Sequence, residues 1–137
     1  MKRTSRNPTE WGLQCSVDQG EIVEGANRYL RCSGQISVTP DSSNELGVAV
    51  VSPNEIRGQI ECALANIDSI LEEANMSRSN IVALRFFTTD IDSFLQNYDV
   101  YATWIAEAGI RPPQSLLGIQ RLVLPEAMVE IEADAAA

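Results

Sequence analysis

From Val129 to Asp134, apolar and polar residues alternate one for one. Strand side chains alternate faces, so Glu130, Glu132 and Asp134 share one face while Val129, Ile131 and Ala133 share the other. Upstream, residues 115–122 read as a companion strand, joined to it by a turn at Leu124-Pro125-Glu126. The period changes in two places. Ile56, Ile60, Ala63, Leu64, Ile67, Leu71 and Ala74 recur at helical spacing. Ser52-Pro53-Asn54-Glu55, just before them, supplies a capping residue, a proline for the first turn and a glutamate to complete a capping box. Asparagine tolerates a left-handed cap, so this helix should end near Asn75. Phe94, Tyr98, Tyr101 and Ile105 predict a second helix, capped by Asp90 or Asp92 and ending near Gly109. Between the helices, residues 81–89 are mostly β-branched and aromatic, which predicts a central strand buried on both faces.

The N-terminal half is less periodic. Residues 1–11 are polar, include Pro8 and read as a loose arm, with Trp11 docking it on the body. Residues 13–17 and 21–23 form one bent strand or two short ones. Gly25-Ala26-Asn27 is a turn signal before the alternating run 29–33, and together they predict a hairpin. Gly34 interrupts that run, which marks a bulge or a close backbone approach. Residues 40–44 are a turn-rich loop and 47–51 a short strand. The order is β-rich, helix, strand, helix, strand, strand. That predicts one α+β domain over residues 1–137, with two helices packed on one face of a single mixed sheet. The other face would carry many apolar residues. A bare face of that kind predicts a homo-oligomer with its sheets facing inward.

Composition narrows the chemistry. No apolar run approaches the roughly 18–20 residues of a membrane span. The basic residues 1–7 are followed by no apolar leader stretch, so a cytoplasmic protein with no membrane partner is expected. A net charge of −9 with a single lysine, Lys2, repels phosphate backbones, so no nucleic-acid partner is expected. The chain has no histidine, which removes Ser-His and Cys-His nucleophile pairs and imidazole metal ligands. Cys15, Cys32 and Cys62 are far apart with no C-x-x-C, so no metal site is expected. No glycine-rich phosphate loop is present. Carboxylates, arginines, hydroxyls, backbone groups and water remain to do chemistry.

Several segments resemble the RidA/YjgF family: Ser33-Gly34-Gln35-Ile36, Gln59 with Ala63-Leu64-Ala65-Asn66-Ile67, and Phe87-Thr88-Thr89-Asp90. So do Phe94 and Tyr101, Arg121-Leu122 with Pro125, and Glu130-Ile131-Glu132-Ala133. Each is weak alone; their order and spacing are specific and cover the chain from about Trp11 onward. The resemblance implies a chorismate-mutase-like fold and a homotrimer holding a small-molecule ligand in clefts between subunits, with no cofactor. RidA-type members hydrolyse enamine and imine intermediates such as 2-aminoacrylate to 2-keto acids and ammonia. In that family an arginine anchors the substrate carboxylate, a use suited to a planar bidentate donor. A glutamate positions or activates the attacking water, a general-base role that needs no histidine.

The match of site residues is partial. The family glutamate falls on Glu130 and its arginine, in a proline-x-arginine-serine run, on Gln114. The family's N-terminal tyrosine falls near Val17 or Gly20, its helix-2 asparagine falls on Tyr98, and Ser33 carries over with its glycine. Glutamine brings no charge to a carboxylate, which forgoes roughly 1.5–3 kcal/mol. Arg111, three residues upstream of Gln114, either replaces the anchor or is a solvated loop arginine. Tyr98 and Tyr101 either line a pocket or pack in the core, and Glu130 either holds water in a cleft or sits on a solvated face. The expected function is a RidA-like deaminase whose substrate differs from 2-aminoacrylate. The alternative is a non-catalytic small-molecule-binding or regulatory trimer. Endoribonuclease or translation-inhibitor activity is disfavoured by the acidic chain and the missing histidine.

Overall fold

A computed structural model describes residues 1–137. The strands are β1 (Lys2–Arg6), β2 (Gly20–Glu24), β3 (Tyr29–Arg31), β4 (Gln35–Ile36), β5 (Val38–Pro40), β6 (Val48–Val50), β7 (Ile81–Thr88), β8 (Gln114–Gly118) and β9 (Val129–Ala136). The helices are α1 (Ile56–Glu73), α2 (Ile91–Gln96) and α3 (Asp99–Ala106). No helix is long and apolar enough to cross a membrane.

The main sheet runs β3–β9–β7–β8, with β4 also on the free edge of β9. The predicted turn between the last two strands does not make a hairpin. β8 pairs parallel with β7 and β9 pairs antiparallel on its other side. A parallel pair needs a crossover, and α2 and α3 supply it between β7 and β8. Nor do β2 and β3 form the expected hairpin. β2 pairs with β1, and β3 pairs with β9.

Register decides which residues meet the helices. Leu84, Phe86 and Thr88 of β7 lie beside Ala133, Ile131 and Val129 of β9, and all six are buried. Against this face α1 packs Ile60, Ala63, Leu64, Ile67 and Leu71. Phe86 sits 5.4 Å from Phe94 and 4.9 Å from Tyr101, centroid to centroid, tying the crossover to the sheet. The opposite face carries Arg85, Phe87, Glu130, Glu132 and Asp134, all half-buried. Two expectations are corrected here. β7 alternates rather than being buried on both faces, and the open face is charged as well as apolar. Arg85 bonds Glu132 at 2.6 Å and Asp134 at 3.1 Å, so the polar residues of β9 are matched by a cation on the next strand.

The local signals hold with shifts. Glu55, not Ser52, caps α1; its carboxylate accepts from the Arg57 and Gly58 amides at 3.0 and 2.8 Å. Ser52 and Asn54 instead take positive φ (53° and 57°) and turn the chain into the helix. Asn75, as expected, is left-handed after the helix end. The predicted second helix is two, α2 and α3. Asp90 caps α2, accepting from the Ser93 amide at 3.0 Å, and the break falls at Asn97 and Tyr98.

The N-terminal arm is not loose. Arg3 makes a bidentate pair with Glu21 (2.7 and 2.9 Å) and also donates to the Ser79 and Ile81 carbonyls, pinning the β1–β2 ribbon to the start of β7. Trp11 does not dock, being 68% exposed. Asp18 is the arm's second anchor. Buried, it accepts from the Ser5 hydroxyl, Asn7 Nδ2 (2.8 Å) and Arg111 Nε (3.0 Å). Burial pushes its carboxyl pKa up, but these bonds and the Arg111 charge outweigh that and hold it below the ordinary value. A depressed folded-state pKa stabilises above the unfolded value, near 3.8, and the stabilisation is lost as pH falls through the folded value. Asp18→Asn should therefore cost about 2 kcal/mol at pH 7. The gap to wild type should close below pH 4, as urea melts across pH 2.5–7 would show.

Candidate functional site

Two polar centres are built on the main sheet. The first lies at the β8 edge. Pro112 and Pro113 favour extended backbone, so β8 starts at Gln114. The register Leu84–Gln114 puts that side chain on the helix face. The break between α2 and α3 presents Tyr98 to it. Gln114 Nε2 donates to Tyr98 Oη at 2.6 Å, and Oη donates to the Cys15 carbonyl at 2.7 Å. Cys15 is held there by a short helical turn, Leu13–Cys15, bracketed by left-handed Gly12 (φ 92°) and Ser16 (φ 60°). Glycine adopts that conformation freely. Burial pushes the Tyr98 phenol up to about 12, only partly offset by Gln114, so it stays protonated at neutral pH. Gln114 Oε1 is closed off from solvent and has no donor.

These residues floor a cleft of about 530 Å³. Its walls are Trp11, Val17, Leu95 and Leu116 with the exposed Gln14 amide beside them, and no cationic side chain lines it. Trp11, Cys15, Leu95 and Leu116 were not predicted as site residues. One signal was available. Leu95 falls outside the Phe94–Tyr98–Tyr101–Ile105 stripe and is 53% exposed, an apolar residue with no core to serve. Of the two positions open for the family tyrosine, Val17 lines this cleft and brings no hydroxyl.

The second centre is Glu130 on β9. Its register partners are Phe87 and Ile36. A side chain on Gly34 would collide with its carboxylate, so the absence of one is what seats Glu130 against the backbone before β4. The close approach read from Gly34 is this contact. Burial, then the neighbouring Glu132 charge, pushes the Glu130 carboxyl above the ordinary glutamate value. That moves a carboxylate toward general-base duty.

The structure brings together Tyr98 and Gln114, and separately Glu130 and the Ser33-Gly34 segment. It does not bring the two centres together. Gln114 points to the helix face and Glu130 to the open face of the same sheet. Arg111 stays out of the cleft; its guanidinium is engaged by Asp18. Tyr101, the core alternative of the tyrosine pair, is fully buried.

A mixed sheet with three helices on one face is the α+β architecture of the RidA/YjgF proteins. The family described as Endoribonuclease L-PSP matches residues 19–137, and the chain belongs to it, among the RidA/YjgF proteins. It is 35% identical over 106 residues to a RutC family protein of Aquifex aeolicus, covering 77% of this chain and 78% of that one. In structure it is similar to YyfB of Yersinia pestis, a Rid family protein of unknown function, with TM-score 0.81, 25% identity and full coverage of both chains. It is also similar to Escherichia coli TdcF, whose provisional name is reactive intermediate deaminase, at 29% identity over 117 residues, 83% of this chain and 84% of that one. The TdcF crystal structure with bound serine matches at TM-score 0.68 and 27% identity, covering 88% and 87% of the two chains.

Proposed function

We propose that the chain is a RidA-like hydrolytic deaminase of a reactive imine or enamine other than 2-aminoacrylate, acting from a cleft completed by a second copy in a homotrimer. The observation that carries this is Glu130, seated on Gly34 with a raised pKa on a strand face that solvent or a neighbouring copy can reach. As base, Glu130 takes a proton from water while the oxygen attacks the C=N carbon. Glu130 returns that proton to the nitrogen, then takes the proton of the new hydroxyl and passes it to the nitrogen as C=O forms and the C–N bond breaks, so that ammonia leaves with both hydrogens of the water. Placement of Gln114 and Glu130 on opposite faces supports a site shared between copies, because one chain cannot present both to one small molecule. The relation to TdcF supports a small metabolite as ligand.

The test is ammonia release from 2-aminoacrylate and 2-iminobutanoate generated in situ, beside a panel of imines without a carboxylate, with mass by light scattering. The expected result is a particle of three 15.0 kDa chains that turns over at least one of the panel faster than the two imino acids. An intact trimer that releases no ammonia from any of them defeats the hydrolase. A second reading, a non-catalytic binder of the same small molecules, is favoured by the absence of any cation in the Gln114 cleft. It predicts thermal stabilisation by ligand with no turnover.

A further inference from the structure

Three carboxylates share the open face of β9: Glu130, Glu132 and Asp134. The facing strand β7 treats them differently. Phe87 stands opposite Glu130, Arg85 opposite Glu132 and Ala83 opposite Asp134. Arg85 Nε donates to Glu132 at 2.6 Å, and its Nη2 reaches diagonally to Asp134 at 3.1 Å. Glu130 has no such partner; burial first and the Glu132 charge second act on its carboxyl. The far edge of β9 sets no second cation opposite Glu132. There Arg31 pairs in register with Asp134, and Ile36 with Glu130. Cys32, in the segment between them, carries a thiol that burial, then the Asp134 charge, pushes up and so keeps neutral.

Resting on Glu130 as the base of the proposed reaction, we infer that Arg85 is its positioning residue: by clamping Glu132 and Asp134, it leaves Glu130 the one unpaired carboxylate of β9. A guanidinium opposite Glu130 itself would occupy its oxygens and favour the charged form, which makes a poorer base. An aromatic ring in that place does the reverse. Glu132, two residues along the same face, repels the ionised base. Arg85 limits that repulsion, because its charge offsets that of Glu132 and its bonds hold both neighbouring carboxylates toward β7. Without it, two bare carboxylates would stand beside the base, and Glu130 would keep its proton to higher pH.

Arg85→Met removes the charge and keeps much of the side-chain volume. The Glu130 carboxyl titration, followed by ¹³C NMR on the full chain, should move up by about half a pH unit or more, the effect of one unbalanced charge several ångströms away. The acid limb of the pH–rate profile should move with it. Arg85→Lys, which keeps the charge, should return the titration most of the way. Glu132→Gln should move it down, because the repelling charge is gone. Arg85→Met and Glu132→Gln break the same ion pair, so loosening of the sheet would shift Glu130 the same way in both, whereas charge shifts it in opposite ways. An unmoved or falling titration in Arg85→Met overturns the inference. Should that variant fail to fold, an unmoved titration in Glu132→Gln overturns it equally. The titration needs no turnover, so opposite shifts in a protein that releases no ammonia defeat only the hydrolase. Turnover with an unmoved titration defeats only the role of Arg85.

Discussion

Gln59→Ala should lower stability by about 3 kcal/mol, a drop of roughly 10 °C in Tm for a chain of this size. Gln59 is fully buried on α1, where an apolar residue would ordinarily sit. Its Nε2 donates to the Ser52 carbonyl at 3.0 Å and the Glu126 carbonyl at 2.8 Å, and its Oε1 accepts from the Met128 amide at 2.7 Å. One side chain therefore closes the loop before α1 and the loop before β9 onto the helix. Alanine leaves a buried N–H and two carbonyls to find water, and adds a cavity. Gln59→Glu separates the two causes. It fills the volume and keeps the acceptor, but sets a carboxylate against two carbonyls. The variant should therefore be most unstable at neutral pH and recover as pH falls and the carboxyl protonates. Thermal melts of both variants at pH 4.5 and 7.5 check this. A loss under 1 kcal/mol for alanine would mean that the two loops close without Gln59.

Glu130→Ala should reduce ammonia release by a factor of 10² to 10⁴, the usual share of a positioned general base. Glu130→Gln, which keeps shape and hydrogen bonding but cannot take a proton, should lose as much. The folded protein should suffer little from either change. A carboxyl whose folded pKa is raised adds stability below its unfolded value and loses it as pH rises through the folded value. At neutral pH the ionised Glu130 is thus a modest burden on the fold, so both variants should match or exceed wild-type stability. Gly34→Ala complements them. Its new methyl displaces the Glu130 carboxylate, so the Glu130 carboxyl titration, read by ¹³C NMR, should move toward the ordinary value. Loss of turnover should accompany it. Wild-type turnover in Glu130→Gln would move the base elsewhere and leave Glu130 a structural residue.

Much of this protein follows from short-range pattern. The stripe from Ile56 to Leu71 makes α1 whatever it packs on, because helical spacing sets one apolar face. The run 81–88 makes β7, and strict alternation makes Glu130 and Glu132 neighbours on one face of β9. Gly34 announces a close approach and Asn75 a helix end, each through a backbone preference carried by the residue itself. The family likeness, spread over the same segments, pointed to Gln114 and Tyr98, which the fold brings within hydrogen-bonding distance.

Tertiary structure alone decided the rest. Alternation states which residues share a face, but not which face meets the helices, so only the registers with β7 show Gln114 and Glu130 turned to opposite sides. The same limit hid the parallel pairing of β8 and the union of β1 with β2, since a strand's edges carry no mark of their partner. Arg111 and Asp18 lie 93 residues apart, farther than any local pattern can join, and their contact engages the arginine that the sequence left open between an anchor and a solvated loop residue. The cleft is likewise a product of distance. Cys15, Tyr98 and Gln114 meet only when the turn, the helix break and the strand start converge.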